Sequence, residues 1–277
     1  MKTYTLTIPA DLSLSSSVRE ISVRIFEEVG FESGDIFRLK LVLDELYMNA
    51  VKYGSVQEST LHITYEVEDR TLRVKIEDEG GEKKVSAEEL KKIMEYQRAN
   101  TDPSKSSGRG LAQITDGWAD TFKVWDGKRG GLCIAFSKKI LSASEKKNSR
   151  KKNASEAPQA SLDIPLNIPL KTIAIMGEVD RVTLEEKSAP VNAYISQVST
   201  PQILVLSLGD MTFCNSSFLA KLASWKQGMK AKKGDLVLEN VRPEIWEIFE
   251  LVGLLKVIFA TKTKFSETGN FQKTEKE

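Results

Sequence analysis

Glu45 and Asn49 stand four residues apart in the run Asp44-Glu45-Leu46-Tyr47-Met48-Asn49-Ala50-Val51-Lys52-Tyr53-Gly54. On a helix that spacing stacks a carboxylate and an amide on one face. An isolated Glu-x-x-x-Asn is most often a solvated helix surface, so its neighbours decide what it means. Asp78 ends the alternation Leu72, Val74, Ile76 on the core-facing phase and is followed by Glu79-Gly80-Gly81. A carboxylate therefore sits at a strand terminus with permissive backbone after it. Ser106-Ser107-Gly108-Arg109-Gly110-Leu111 opens a helical pattern, the arrangement in which free backbone N–H groups hold phosphate oxygens. Far downstream, Thr212-Phe213-Cys214-Asn215-Ser216-Ser217-Phe218-Leu219 places a serine pair where a helix begins, the usual position of an N-cap.

The elements that must position these groups follow from periodicity. Tyr4–Ile8 predicts a strand, and Val18, Ile21, Ile25 and Val29 recur at helical spacing. Ile36, Leu39, Leu43, Leu46 and Ala50 predict a helix over Asp35–Tyr53, with Glu45 and Asn49 beside its buried stripe. Leu61, Ile63, Tyr65 and Val67 alternate, then Leu72, Val74 and Ile76, with Glu68-Asp69-Arg70 turning between them. After a mixed segment, Thr121–Trp125 and Leu132–Phe136 flank a glycine-rich turn and predict a second hairpin. Helices separated from β-pairs in this way point to an α/β sandwich. Beyond residue 162 the order becomes strand Thr172–Met176, helix Leu184–Gln197, strand Ile203–Leu208, helix Ser216–Lys232, strand Leu236–Glu239, helix Glu244–Leu251 and a last strand near Val257–Phe259. That alternation predicts a small sheet covered by helices. Pro190 falls inside the first of these helices, which should start after it or kink there.

A chain of 277 residues suits two domains, since single cores seldom grow much past ~250 residues. Residues 142–161 contain no aliphatic side chain larger than Ala and cannot offset the entropy of ordering, so they predict a linker. Its lysine and arginine cluster reads as a solvated spacer. The expected boundaries are domains at 1–141 and 163–263, a flexible linker at 142–162 and a disordered tail at 264–277. With 40 basic against 39 acidic residues the net charge is +1, so no whole-molecule field draws the chain to nucleic acid or anionic lipid. No segment reads as a signal peptide or membrane span. Cys133 and Cys214 are far apart without a CxxC partner, which argues against a zinc site and for a reducing, cytoplasmic location.

Residues 1–140 resemble the GHKL ATPase superfamily, and within it the anti-sigma factor serine kinases. The resemblance rests on the Glu45/Asn49 helix, the Asp78-x-Gly80 box and the Gly108/Gly110 segment in that order. It implies ATP and Mg²⁺ as cofactors, with Glu45 as general base and Asn49 as a Mg²⁺ ligand. It further implies Asp78 as acceptor for the adenine amino group, with Gly80 following it. Gly108 and Gly110 would close over the phosphates, with Lys105 and Arg109 as charge partners. Two positions depart from the pattern: Glu82 stands where a glycine is usual, and Gly130-Gly131-Leu132-Cys133 lacks the threonines that often follow the hairpin glycine. The superfamily includes histidine kinases, but the only histidine, His62, lies mid-strand and no histidine-bearing dimerisation helix precedes the site. A self-contained histidine kinase is therefore not the expected reading.

Residues 163–262 resemble the STAS domain of anti-anti-sigma factors, through Gly177-Glu178-Val179-Asp180 and the strand leading to Asn215-Ser216-Ser217. That resemblance implies that Ser216 is the phosphoacceptor, although Asn215 replaces an acidic residue and Phe218 a glycine. The expected fold class is thus α/β, an N-terminal GHKL-type α/β sandwich followed by a STAS-type α/β domain. The expected function is partner switching by an ATP-dependent serine/threonine kinase that controls sigma-factor-dependent transcription. Its expected partners are a sigma factor or a STAS-domain protein, its own STAS domain in cis or trans, or a second copy in a homodimer. The alternative is a non-catalytic, ATP-dependent binding scaffold with a degenerate STAS module.

Overall fold

The computed structural model describes residues 1–56, 58–82, 85–99, 117–141, 169–258, 263–265 and 271–273. The described residues up to 141 form one compact unit and those from 169 onward another. The expected linker at 142–162 lies outside the described residues, as does most of the expected tail.

In the first unit, β1 (Lys2–Pro9), β2 (Thr60–Glu68), β3 (Thr71–Glu77), β4 (Thr121–Asp126) and β5 (Leu132–Lys139) make one sheet in the order β1-β2-β3-β5-β4. Every neighbouring pair is antiparallel. The register aligns Tyr4 with Tyr65, Tyr65 with Val74 and Val74 with Phe136, so the apolar phase of each strand falls on one face. Asp69 and Arg70 both take positive φ, 47° and 60°, as a two-residue hairpin loop between twisted strands requires.

Helices α1 (Ser15–Val29) and α2 (Ser33–Tyr53) cover that face, and the Phe26 ring meets Tyr65 edge-on at 6.3 Å. This is the expected α/β sandwich. The buried stripe of α1 is Val18, Ser22, Ile25 and Phe26, while Ile21 is 41% exposed, contrary to the periodicity reading. A serine is tolerated inside because its Oγ donates to Val18 O at 2.6 Å and meets Tyr65 Oη at 2.5 Å. The middle of α2 is buried all round, from Leu41 through Met48, including Asp44 and Glu45. Asp44 accepts from Arg19 of α1, and both side chains are sealed from solvent. Tyr47 Oη donates to Asp11 O at 2.5 Å and fastens the loop before α1 to the same helix. Its hydroxyl pKa is pushed up to about 12, chiefly by burial.

The segment that periodicity left mixed contains α3 (Ala87–Ala99). It starts at a reciprocal cap: Ser86 N donates to Glu89 Oε2 at 2.8 Å and Glu89 N to Ser86 Oγ at 3.2 Å. Asp126 Oδ1, at the end of β4, accepts from Ala87 N at 2.8 Å and fixes where α3 begins.

The second unit has a parallel three-stranded sheet, β10 (Asp235–Glu239), β8 (Ile203–Ser207) and β6 (Leu170–Ala174) in that order, and a parallel pair of β7 (Gly177–Val179) with β9 (Met211–Cys214). Helices α4 (Leu184–Gln197), α5 (Ser216–Ala231), α6 (Pro243–Leu251) and α7 (Leu254–Ile258) accompany them. Helix α4 has the expected bounds and carries Pro190 in its interior, so it does not start after the proline. One expectation is corrected. The expected strand near Val257–Phe259 is helix through Ile258, because Gly253 at φ 71° breaks α6 and Leu254 and Ile258, four apart, are both buried. The parallel ribbon of β7 and β9 was not expected. Its strands are three and four residues long, too short for alternation to register.

Candidate functional site

Helix α2 ends at Gly54, whose N–H donates to Ala50 O at 2.9 Å, directly against the end of β3. There Asp78 continues the buried phase of β3 and is only 3% exposed. Its Oδ1 accepts from Leu132 N at 3.0 Å and from Gly80 N at 3.1 Å, while Asp78 N donates to Leu132 O at 3.1 Å. No described residue donates to Oδ2. Burial raises the Asp78 pKa, and the two N–H donors and the neighbouring Glu77 charge act against and with that rise respectively.

Glycines wall the carboxylate. A Cβ on Gly54 would stand 2.3 Å from Asp78 Oδ2, and one on Gly131 would stand 1.8 Å from Oδ1. Gly80, at φ 87°, turns the chain away from the strand, and a Cβ there would meet Gly130 O at 2.9 Å. Gly81 approaches Tyr53 O so closely that a Cβ would lie 2.5 Å away. The carboxylate thus lies in a glycine-walled recess, with Oδ2 accepting from no described residue. Lys52 and Tyr53 stand beside it at the end of α2, the ammonium 4.6 Å from the ring centre and the tyrosine 57% exposed.

Glu45 is buried and Asn49 half-buried on this same helix. By the helical rise Asn49 lies about 7 Å and Glu45 about 13 Å back along the axis from Gly54. The structure thus joins Asp78 and Gly80 to the end of the helix bearing Glu45 and Asn49. Lys105, Gly108, Arg109 and Gly110 lie outside the described residues. Glu82 is exposed. Gly54 and Gly131 were not singled out from sequence: the first reads as an ordinary helix stop, and the second as a turn residue.

In the second unit, Val179 of β7 pairs with Cys214 of β9, and Asn215 N donates to Val179 O at 3.3 Å. This sets two buried polar turns side by side. Asp180 Oδ1 accepts from Val182 N and Thr183 N, each at 2.9 Å, and Asp180 N donates to Thr183 Oγ1 at 3.0 Å. Asn215 Oδ1 accepts from Ser217 N at 3.1 Å and Phe218 N at 3.4 Å. Asn215, in extended backbone conformation, is therefore the N-cap of α5, which corrects the serine-pair reading and leaves half-buried Ser216 at the first helical position. Phe218 is fully buried, edge-on to Trp225 at 6.1 Å, so it belongs to the core and does not cover Ser216 from outside.

Residues 8–138 match the family described as a histidine kinase-like ATPase domain, and residues 134–271 match the STAS domain family. The two ranges overlap at 134–138, which the pairing of β5 with β3 and β4 assigns to the first unit. Among solved structures, the chain is similar to the RsbU and RsbW domains of Rv1364c from Mycobacterium tuberculosis, at 15% identity and a TM-score of 0.35, over 50% of this chain and 32% of that one. It thus spans about a third of that structure's length. It is also similar to the STAS domain of a SulP transporter from Vibrio cholerae, at 15% identity and a TM-score of 0.28, over 39% of this chain and 74% of that one. No helix among the described residues is long and apolar enough to cross a membrane. The Asp78 recess falls within the first matched range and the Ser216 helix start within the second: the chain is a GHKL-type, histidine kinase-like ATPase domain fused to a STAS domain.

Proposed function

We propose that this chain is a partner-switching regulator, an ATP- and Mg²⁺-dependent serine/threonine protein kinase of the anti-sigma factor type whose phosphoacceptor is Ser216. The observation that carries the nucleotide reading is the Asp78 recess. A buried carboxylate with one oxygen saturated by backbone donors and the other facing glycine walls suits an exocyclic amino group. ATP would supply the transferable phosphoryl group. Asp78 and Gly80 would hold the base, and Asn49 a Mg²⁺. No cluster of three or more His, Cys, Asp or Glu side chains suited to a metal occurs among the described residues, so such an ion would share its ligands with phosphate oxygens. Glu45, buried one turn behind Asn49, is the group that takes or orients the serine proton. Gly108 and Gly110, with Lys105 and Arg109, are assigned to the phosphates on sequence grounds. Domain boundaries near 141 and 163, action on a sigma factor or a STAS partner, a homodimer and a cytoplasmic location belong to the same proposal.

The second reading, a non-catalytic scaffold, is favoured by the departures at Glu82, Asn215 and Phe218; Glu82 is exposed, Asn215 caps α5 and Phe218 is core. Incubation of the full chain with labelled ATP and Mg²⁺, followed by phosphosite mapping, tests the reading. Label on Ser216 supports it. Absence of label, in the chain and on an added STAS partner, moves the scaffold reading to first place.

A further inference from the structure

Gly54 and Gly131 have no backbone reason to be glycine. Gly54 sits at φ −101°, a conformation open to any residue, and Gly131, unlike its neighbours Gly80 and Gly130, does not adopt positive φ. Space explains them instead. A Cβ at Gly131 would lie 1.8 Å from Asp78 Oδ1, 2.4 Å from Gly80 N and 2.7 Å from Asp78 O. Two of those three atoms are backbone, so no side-chain adjustment makes room. At Gly54 all three nearest atoms belong to the Asp78 carboxyl group. Gly54 is therefore shaped around the Asp78 carboxyl group alone, and Gly131 around that group together with the backbone at Asp78 and Gly80.

The carboxylate occupies the volume that a residue 131 side chain would fill, and only from there does Oδ1 reach both Gly80 N and Leu132 N. We propose that Gly131 is the specificity-determining residue of the base subsite: its missing side chain lets Asp78 lean into the hairpin and offer a single acceptor, Oδ2, which selects a purine bearing an amino group over one bearing a carbonyl at that position. This deepens the ATP-site reading above and rests on it.

The test compares dissociation constants for ATP and for inosine triphosphate, which carries a carbonyl where ATP carries the amino group, by calorimetry on the full-length chain. A ratio of the two is insensitive to the folded fraction, because both nucleotides meet the same population. The wild type should prefer ATP by about ten- to a hundredfold, the worth of a hydrogen bond to a charged group. Gly131→Ala should bring the ratio near unity, as should Asp78→Ala, and Gly131→Ala added to Asp78→Ala should change the ratio no further. If Gly131→Ala alone fails to fold, Gly54→Ala, whose nearest atoms all belong to the Asp78 carboxyl group, displaces the same carboxylate without a backbone clash and should bring the ratio near unity; a folded Gly54→Ala variant that keeps the wild-type ratio overturns the proposal. A Gly131→Ala variant that keeps the wild-type ratio while Asp78→Ala abolishes it overturns this proposal and leaves the ATP site standing. An unchanged ratio in Asp78→Ala, or no nucleotide binding by the wild type, overturns both.

Discussion

At the scale of single residues, the two carboxylates of the first unit are asked for different things, and substitutions should separate them. Glu45→Ala should retain ATP affinity while losing about a hundredfold or more in labelling of Ser216, because a proton-handling group acts in the transition state and not in the ground-state complex. Equal losses of binding and labelling would make Glu45 a structural residue. Asp78 is the reverse case. Its carboxyl is held above the ordinary carboxylate range, largely by burial, so at neutral pH the ionised group costs stability. Asp78→Asn keeps an oxygen for Gly80 and Leu132 while shedding that charge, and it should raise the unfolding midpoint while weakening ATP about tenfold or more. The sign with pH is fixed by linkage. An acid whose native pKa lies above its unfolded value of 3.8 binds protons more readily when folded. The wild type therefore gains stability as pH falls from the native pKa toward 3.8, and its deficit against Asp78→Asn should shrink over that window. Denaturant melts at neutral and mildly acidic pH read this directly, and a gap that widens on acidification would contradict the assignment.

At the scale of elements, α2 carries the site, and what aims it is the buried pair of Asp44 with Arg19 of α1. Removing one partner strips the other of this ion pair in the core, so Arg19→Met should cost about 3–5 kcal/mol, whereas Arg19→Met with Asp44→Leu should recover most of it. Urea unfolding of the single and double variants checks this, and a single variant as stable as the double would show that the pair contributes nothing. This pair also marks the limit of what was legible in the sequence. Strands and helices with clean periods, such as β2, β3 and α2, could be placed from side-chain alternation. So could the Asp78 phase and the Glu45/Asn49 spacing. Long-range partners could not, because nothing in the local pattern around Arg19 says that a guanidinium 25 residues before Asp44 lies in the core. Ser22 entered the α1 stripe in place of Ile21 for the same reason, its partner Tyr65 being 43 residues away. Helix α3 was readable in principle, since Ser86-Ala87-Glu88-Glu89 is a capping-box signature that a search for apolar periods passes over. The space demands of Gly54 and Gly131 were beyond any local signal, because they are set by the distant Asp78 carboxylate and, at Gly131, also by the backbone of Asp78 and Gly80.

At the scale of the whole molecule, the question is what the fusion does for two units that could act as separate proteins. If residues 142–162 are the flexible tether proposed above, a chain of that length would have an r.m.s. reach of about 25 Å and would hold its ends at an effective concentration of order mM. Under that condition a docking constant in the tens of micromolar between free pieces becomes nearly complete occupancy within one chain, so weak, switchable docking is sufficient. Phosphate on Ser216 would add charge at the first position of α5, at the positive end of the helix. The binding surface would change there without the fold changing. We therefore expect that cutting an engineered protease site within residues 142–162 of the folded chain leaves halves that co-elute in one nucleotide state and separate in the other, with micromolar affinity by calorimetry. Separately prepared pieces 1–141 and 162–277 should reproduce that affinity. Phosphorylation of Ser216 should weaken it about tenfold or more, as expected for a charge placed in a docking surface. No association at high micromolar concentration with either ATP or ADP would mean that the fusion serves only to keep the two domains in equal number.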